Sequence, residues 1–100
     1  MVRRITWTVR AQTDRIKIFE YWNNRNKSNI YSRKLNVLIR QSLELIAKYP
    51  RIGKQTDERN VRVKVLKDYL IIYQIMPKEI VILTLWDCRQ NPDDLKRILK

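Results

Sequence analysis

Apolar residues recur along this chain with three different spacings, and each spacing predicts an element. Near the start, Arg3-Arg4-Ile5-Thr6-Trp7-Thr8-Val9 alternates, which places Ile5, Trp7 and Val9 on one face of a half-buried strand. The period then lengthens. Ala11, Ile18 and Trp22 share a stripe that Phe19 widens, while Asp14, Arg15, Lys17 and Glu20 lie to the wet side, so a helix runs to about Asn24. Thr8 can cap it, because its hydroxyl can accept a bond from a first-turn N–H. After the polar break Asn23–Asn29, Ser28 or Asn29 caps a longer helix. There Tyr31, Leu35, Leu38, Ile39, Leu45, Ile46 and Tyr49 follow the 3.6-residue period. Pro50 ends it, since proline lacks the N–H and disfavours helical backbone at Tyr49.

A loop from Pro50 to Asn60 carries Gly53, the one glycine of the chain. Three strands follow. Val61-Arg62-Val63-Lys64-Val65 alternates, a turn at Asp68 leads to Tyr69–Met76, and Pro77-Lys78 leads to Glu79–Trp86. The last two are apolar on both faces, which predicts interior strands covered on each side. Such short connections require antiparallel neighbours. Asn91-Pro92-Asp93-Asp94 combines an N-cap, a proline at the first helical position and acids at the positive end of the dipole. Leu95, Ile98 and Leu99 supply an apolar side to that final helix. The chain therefore predicts an α+β fold over a single domain, residues 1–100. Two N-terminal helices pack on a mainly antiparallel four-stranded sheet (β-α-α-β-β-β), with a short C-terminal helix.

Composition narrows the chemistry. The chain has 22 Lys and Arg against 10 Asp and Glu, a net charge of +12, no His and one Cys. Without His, a Ser-His-Asp or Cys-His machine is excluded, and so is an internal His- or Cys-ligated zinc site. One cysteine makes no internal disulfide. No metal or cofactor is expected. The opening MVRRITWTVRAQ has no apolar h-region, and no apolar run is long enough to span a bilayer, so a soluble, cytoplasmic protein without membrane contact is expected. The positive charge is spread. Residues 1–50 hold 11 basic and 3 acidic side chains, and residues 51–100 hold 11 and 7. The folded surface itself is positive and calls for an anionic partner.

The element order, in a basic chain of this length, resembles the RelE/ParE superfamily of type II toxin–antitoxin toxins (plasmid stabilization proteins). The resemblance rests on Trp7-Thr8, Ala11, Asp14 and Tyr21-Trp22, then on Tyr49-Pro50 with Gly53, Asp68-Tyr69 and Ile72-Tyr73. It ends with Ile82-Leu83 leading to Trp86-Asp87-Cys88-Arg89-Gln90-Asn91-Pro92. It implies a cognate acidic antitoxin that holds the toxin inactive. It also implies one of two activities: cleavage of ribosome-bound mRNA, as in RelE-like members, or poisoning of DNA gyrase, as in ParE-like members. A basic nucleic-acid binder without toxicity is the alternative.

Cleaving RNA through the 2′-hydroxyl needs a base, positive charge on the phosphorane-like transition state and an acid on the leaving oxygen. Arg62 and Lys64 are two apart on an alternating strand and share a face. They match basic positions of RelE-like enzymes on this strand, and Arg89 matches the one just past the last strand. The three are expected to converge at one end of the sheet, with Lys64 the candidate base. Other positions depart from that pattern. Leu70 stands where those enzymes carry Arg, and Gln90–Leu95 has no Tyr or His. Tyr69 and Tyr73 read as packed strand residues, Glu44 as a surface acid, Trp7, Trp22 and Trp86 as core, and Cys88 as a packing cysteine. The nuclease set is incomplete.

Overall fold

A computed structural model describes residues 2–90 and 93–95. Its elements are β1 (Arg4–Trp7), α1 (Val9–Asn26), α2 (Ile30–Lys48), a 3-10 turn (Pro50–Ile52), β2 (Lys54–Gln55), β3 (Val61–Leu66), β4 (Tyr69–Ile75) and β5 (Glu79–Asp87). Residues 93–95 are helical. The proposed cap Asn91-Pro92 and residues 96–100 lie outside the described residues. Among the described residues, no helix is long and apolar enough to cross a membrane.

Thr8 does what its position promised: its Oγ1 accepts from Ala11 N at 3.0 Å. The same hydroxyl lies 3.0 Å from the carbonyls of Ile82 and Leu83, which ties the start of α1 to β5. Because the helix begins at Val9, that residue leaves the strand alternation and is 85% exposed. Helix α1 runs past Asn24 and closes at Lys27, which adopts the left-handed conformation with φ 53°. Asn29 is the N-cap residue of α2, but the side-chain bond comes from Ser28, whose Oγ accepts from Ile30 N at 3.2 Å.

The buried stripe of α2 is Ser32, Leu35, Ile39, Ser42, Leu43, Ile46 and Ala47. It is rotated from the expected one, for Leu45 is 42% and Tyr49 60% exposed. Small polar residues set this rotation. Ser32 Oγ donates toward the Phe19 carbonyl at 3.1 Å and toward Asn23 Oδ1, so a serine faces α1 in the helix hairpin.

The sheet has five strands rather than four, in the order β1-β5-β4-β3-β2. Strands β3, β4 and β5 form an antiparallel meander, and β1 joins β5 in parallel. The additional strand β2 lies antiparallel to β3, pairing Lys54 with Val63 and Gln55 with Arg62. Both its residues are exposed, so no apolar alternation announces it. It forms because the preceding loop is pinned to the sheet. Tyr73 Oη accepts from Gly53 N at 2.9 Å and donates to the Pro50 carbonyl at 2.7 Å. Gly53 is needed there, since a Cβ would come within 2.5 Å of Tyr73 Oη and 2.9 Å of the Val63 carbonyl.

Strands β4 and β5 are interior, as their two-faced apolarity required. One face carries Tyr69, Ile71, Tyr73, Ile80, Ile82 and Leu85 against Ala11, Leu35, Ile39, Leu43 and Ile46 of the helices. The other holds a smaller cluster of Val61, Ile72 and Trp86, packed with Leu70, Leu83 and Leu95. Trp86 is core, while Trp7 and Trp22 are half-buried at the margin of the larger cluster. The β4–β5 register slips at Ile72/Tyr73, leaving Leu83 as an extra residue. Such a bulge bends a sheet. Asp14 of α1 fastens the strand beside it, its Oδ2 accepting from Thr84 Oγ1 and, at 3.2 Å, from Leu85 N.

Candidate functional site

Register decides which cations meet. Arg62 lies opposite Tyr73 and Lys64 opposite Ile71, so both project from the helix-covered face of the sheet, near its β2 edge. The alternating valines take the other face, where Val61 is buried, Val63 half-buried and Val65 66% exposed. Arg89 follows β5, whose last residue Asp87 pairs with Tyr69 at the start of β4. Tyr69 and Tyr73 are four residues apart on one strand, about 13 Å at the usual rise. Arg62 and Arg89 therefore lie at opposite ends of that span, with Lys64 at the level of Ile71 between them, and the three do not meet at one end of the sheet. In an antiparallel meander the start of β3 and the end of β5 reach opposite ends of the strand between them. Placing residues at strand ends without register had brought them together.

Each end has its own electrostatics. At the end of β5, Arg89 Nε donates to Asp87 Oδ1 at 2.9 Å and Nη2 to Oδ2 at 2.7 Å, a bidentate pair. The Arg89 N–H adds a 2.9 Å bond to Oδ1. These bonds hold the Asp87 carboxyl below its ordinary range and raise the pKa of Arg89. The guanidinium lies 5.3 Å from the Tyr21 ring centre. Hydrogen bonding from Arg89, then from Arg25, favours the Tyr21 phenolate and lowers its pKa. Beneath them Tyr69 is buried and accepts from Trp22 Nε1 at 2.7 Å, and burial raises its pKa. Cys88 is exposed rather than packed, and its thiol is held above the ordinary value by desolvation and then by Asp87 and Asp68. The neighbouring Arg89 does not activate it.

At the other end Arg62 lies along the Pro50–Gly53 segment. Its Nη1 donates to the Gly53 carbonyl at 2.8 Å and the Arg51 carbonyl at 3.3 Å. Among the described residues its Nε and Nη2 make no hydrogen bond, which leaves donors of the guanidinium fork available. Tyr73 below it is fully buried, and burial raises its phenol pKa. Tyr69 and Tyr73 are thus packing residues that anchor Trp22 and the loop, as their strand positions implied. Leu70 belongs to the smaller core on the opposite face. Glu44 is exposed on α2. Among the described residues no cluster of Asp, Glu or Cys is placed to hold a metal ion. From the sequence, Tyr21 and Asp14 stand out only as carriers of the resemblance, with Asp14 expected on the wet side of its helix, and the cations beside Pro50 do not stand out as a site. In the sequence Lys48 falls on the polar side of the second helix and Arg51 in a connecting loop, and no local pattern joins the two.

A model of the ParE toxin of type II toxin–antitoxin systems (parDE) matches residues 5–92. No curated protein matches the chain. Among solved structures, a chain described as the chromosomal ParDE toxin–antitoxin system from P. aeruginosa superposes with a TM-score of 0.72 at 18% identity, over 86% of this chain and 96% of that one. At that identity the likeness is one of fold.

Proposed function

The chain belongs to the ParE toxin family of type II toxin–antitoxin systems, and from that premise we propose that it acts by ParE-like inhibition of DNA gyrase and is neutralised by a cognate acidic antitoxin. The observation that carries the choice of target is the fate of Arg89. A phosphoryl-transfer site needs several cations free and aimed at one phosphate. Arg89 is instead bound bidentately by Asp87, at the far end of β4 from Arg62. Leu70, where RelE-like enzymes carry Arg, is committed to packing.

Ribosome-dependent mRNA cleavage is the second reading. It draws on Arg62 and Lys64 sharing one face, with Arg89 added only if its ion pair opens. An antitoxin finds a matching surface in the groove of about 860 Å³ between β1 and α2. Ile5, Trp7, Leu43 and Leu45 line it together with the cations Arg3, Arg40 and Lys48 and one acid, Glu44. An acidic amphipathic segment satisfies both the apolar residues and the cations.

Inducing the chain in bacteria while scoring DNA damage and mapping message ends separates the two readings. The gyrase reading expects a DNA-damage response with no new 5′ ends on translated mRNA. New 5′ ends without the damage response would contradict it.

A further inference from the structure

A cleft of about 660 Å³ opens beside the Pro50–Ile52 turn, where Arg3, Lys48, Arg51 and Arg62 line it together with Tyr49 and Asn60. No carboxylate is among its lining residues. The ion pairs found among the described residues join Arg4 to Glu79, Arg10 to Asp14 and Arg89 to Asp87, and none reaches these four cations. Two of the four are nevertheless held in place. Arg3 Nε donates to the Met76 carbonyl at 3.0 Å, and Arg62 Nη1 donates to the carbonyls of Gly53 and Arg51. A carbonyl fixes the position of a guanidinium without cancelling its charge. The cleft is therefore a preorganised, uncompensated positive site on a rigid floor, since Tyr73 locks the loop to the sheet.

We infer that this cleft binds the phosphate backbone of a single-stranded nucleic acid, with a base stacked on Tyr49. Four cations exceed what one small anion needs, and three are arginines, whose forked donors match phosphate oxygens. Tyr49 is 60% exposed at the cleft. It presents the aromatic face that sequence-tolerant strand binders use. In a duplex the base faces are stacked away, so a ring beside the phosphates favours an unpaired strand. The cleft also has apolar lining in Pro50, Ile52, Val61 and Ile75, and it shares Arg3 and Lys48 with the groove of Ile5, Trp7, Leu43 and Leu45. An acidic peptide is therefore the competing occupant, and the exposed Tyr49 ring is what favours a base-bearing strand over it. The binding goes beyond the gyrase reading and does not depend on it, so each can fail alone.

The test is fluorescence anisotropy of labelled 12-nucleotide oligo-U and oligo-dT with the purified full chain, from 50 to 200 mM salt. Four phosphate contacts to a single strand give a slope of log K against log salt of about −3. Arg51→Ala is expected to make the slope shallower by about 0.7. Tyr49→Ala is expected to weaken binding by about tenfold or more at unchanged slope. Arg33→Ala removes an exposed charge on α2, away from the cleft, and is expected to match the wild type. Circular dichroism checks that each variant is folded. Equal binding of the two strands identifies a site for backbone and base in general, and a preference names RNA or DNA. The inference is overturned if Arg33→Ala lowers the slope as much as Arg51→Ala, or if Tyr49→Ala has no effect. Displacement of the strand by an equal concentration of a 12-residue oligoglutamate would also overturn it, by identifying an acidic-peptide site.

Discussion

Two arginine clusters share the helix-covered side of one sheet, and their surroundings treat them in opposite ways. At the end of β5 a carboxylate meets Arg89 in two parallel bonds. At the Pro50–Gly53 segment backbone carbonyls meet Arg62, and another carbonyl meets Arg3. Both devices fix a guanidinium in place. The first cancels its charge locally and the second leaves it. A net charge of +12 therefore says little about where an anion binds, and the partner of each cation says much more.

The strongest way to break this contrast is to remove the support under the carbonyl-anchored cluster. Tyr73 is fully buried, so Tyr73→Ala is expected to cost about 3–5 kcal/mol in urea unfolding, the range for truncating a buried aromatic. Tyr73→Phe keeps the ring and deletes the bonds to Gly53 N and the Pro50 carbonyl. It is expected to cost about 1–3 kcal/mol, chiefly by leaving the Gly53 N–H unsatisfied. Gly53→Ala attacks the same contact from the other side, because its Cβ would meet Tyr73 Oη and the Val63 carbonyl. Overpacking of that kind costs about 1–3 kcal/mol. In each variant Arg62 is expected to lose its anchorage, while the Tyr21–Arg89 pairing stays visible in the Tyr21 titration.

The carboxylate-anchored cluster is sharpened by pH. Asp87 has a depressed carboxyl pKa in the folded chain. Its contribution to stability is complete above its unfolded value of about 4 and is lost as pH falls below that. Thermal unfolding of the wild type and Asp87→Asn should therefore differ at pH 7 and coincide at the acid end. The difference should be small, because an exposed ion pair is screened by solvent. The smallest effect is spectroscopic. Arg89→Ala removes the leading cause of the lowered Tyr21 pKa, so the Tyr21 phenol should titrate at higher pH by ultraviolet absorbance.

Most of the fold could be read from local patterns. Thr8 capped its helix, Pro50 ended the next, and the two-faced apolarity of β4 and β5 placed them inside the sheet. What escaped depended on distant partners. Strand β2 has two exposed residues and exists because Tyr73, twenty positions from Gly53, holds the loop. The rotation of α2 that buries Leu43 and exposes Leu45 follows from Ser32 meeting α1. The separation of Arg62 from Arg89 is a matter of strand register, and no local spacing encodes it. Arg62 and Lys64 were legible because alternation fixes their shared face. Lys48, Tyr49 and Arg51 were not, because nothing local shows that a loop, the segment before the first strand and the third strand will close around one cleft.

The most direct measurement of the central contrast is the salt dependence of oligonucleotide binding by Arg51→Ala and Arg89→Ala, compared side by side. Both remove one positive charge. The account predicts a shallower slope for Arg51→Ala, by about 0.7, and the wild-type slope for Arg89→Ala, whose charge Asp87 already answers. Equal slopes for the two variants, or a larger change for Arg89→Ala, would contradict it.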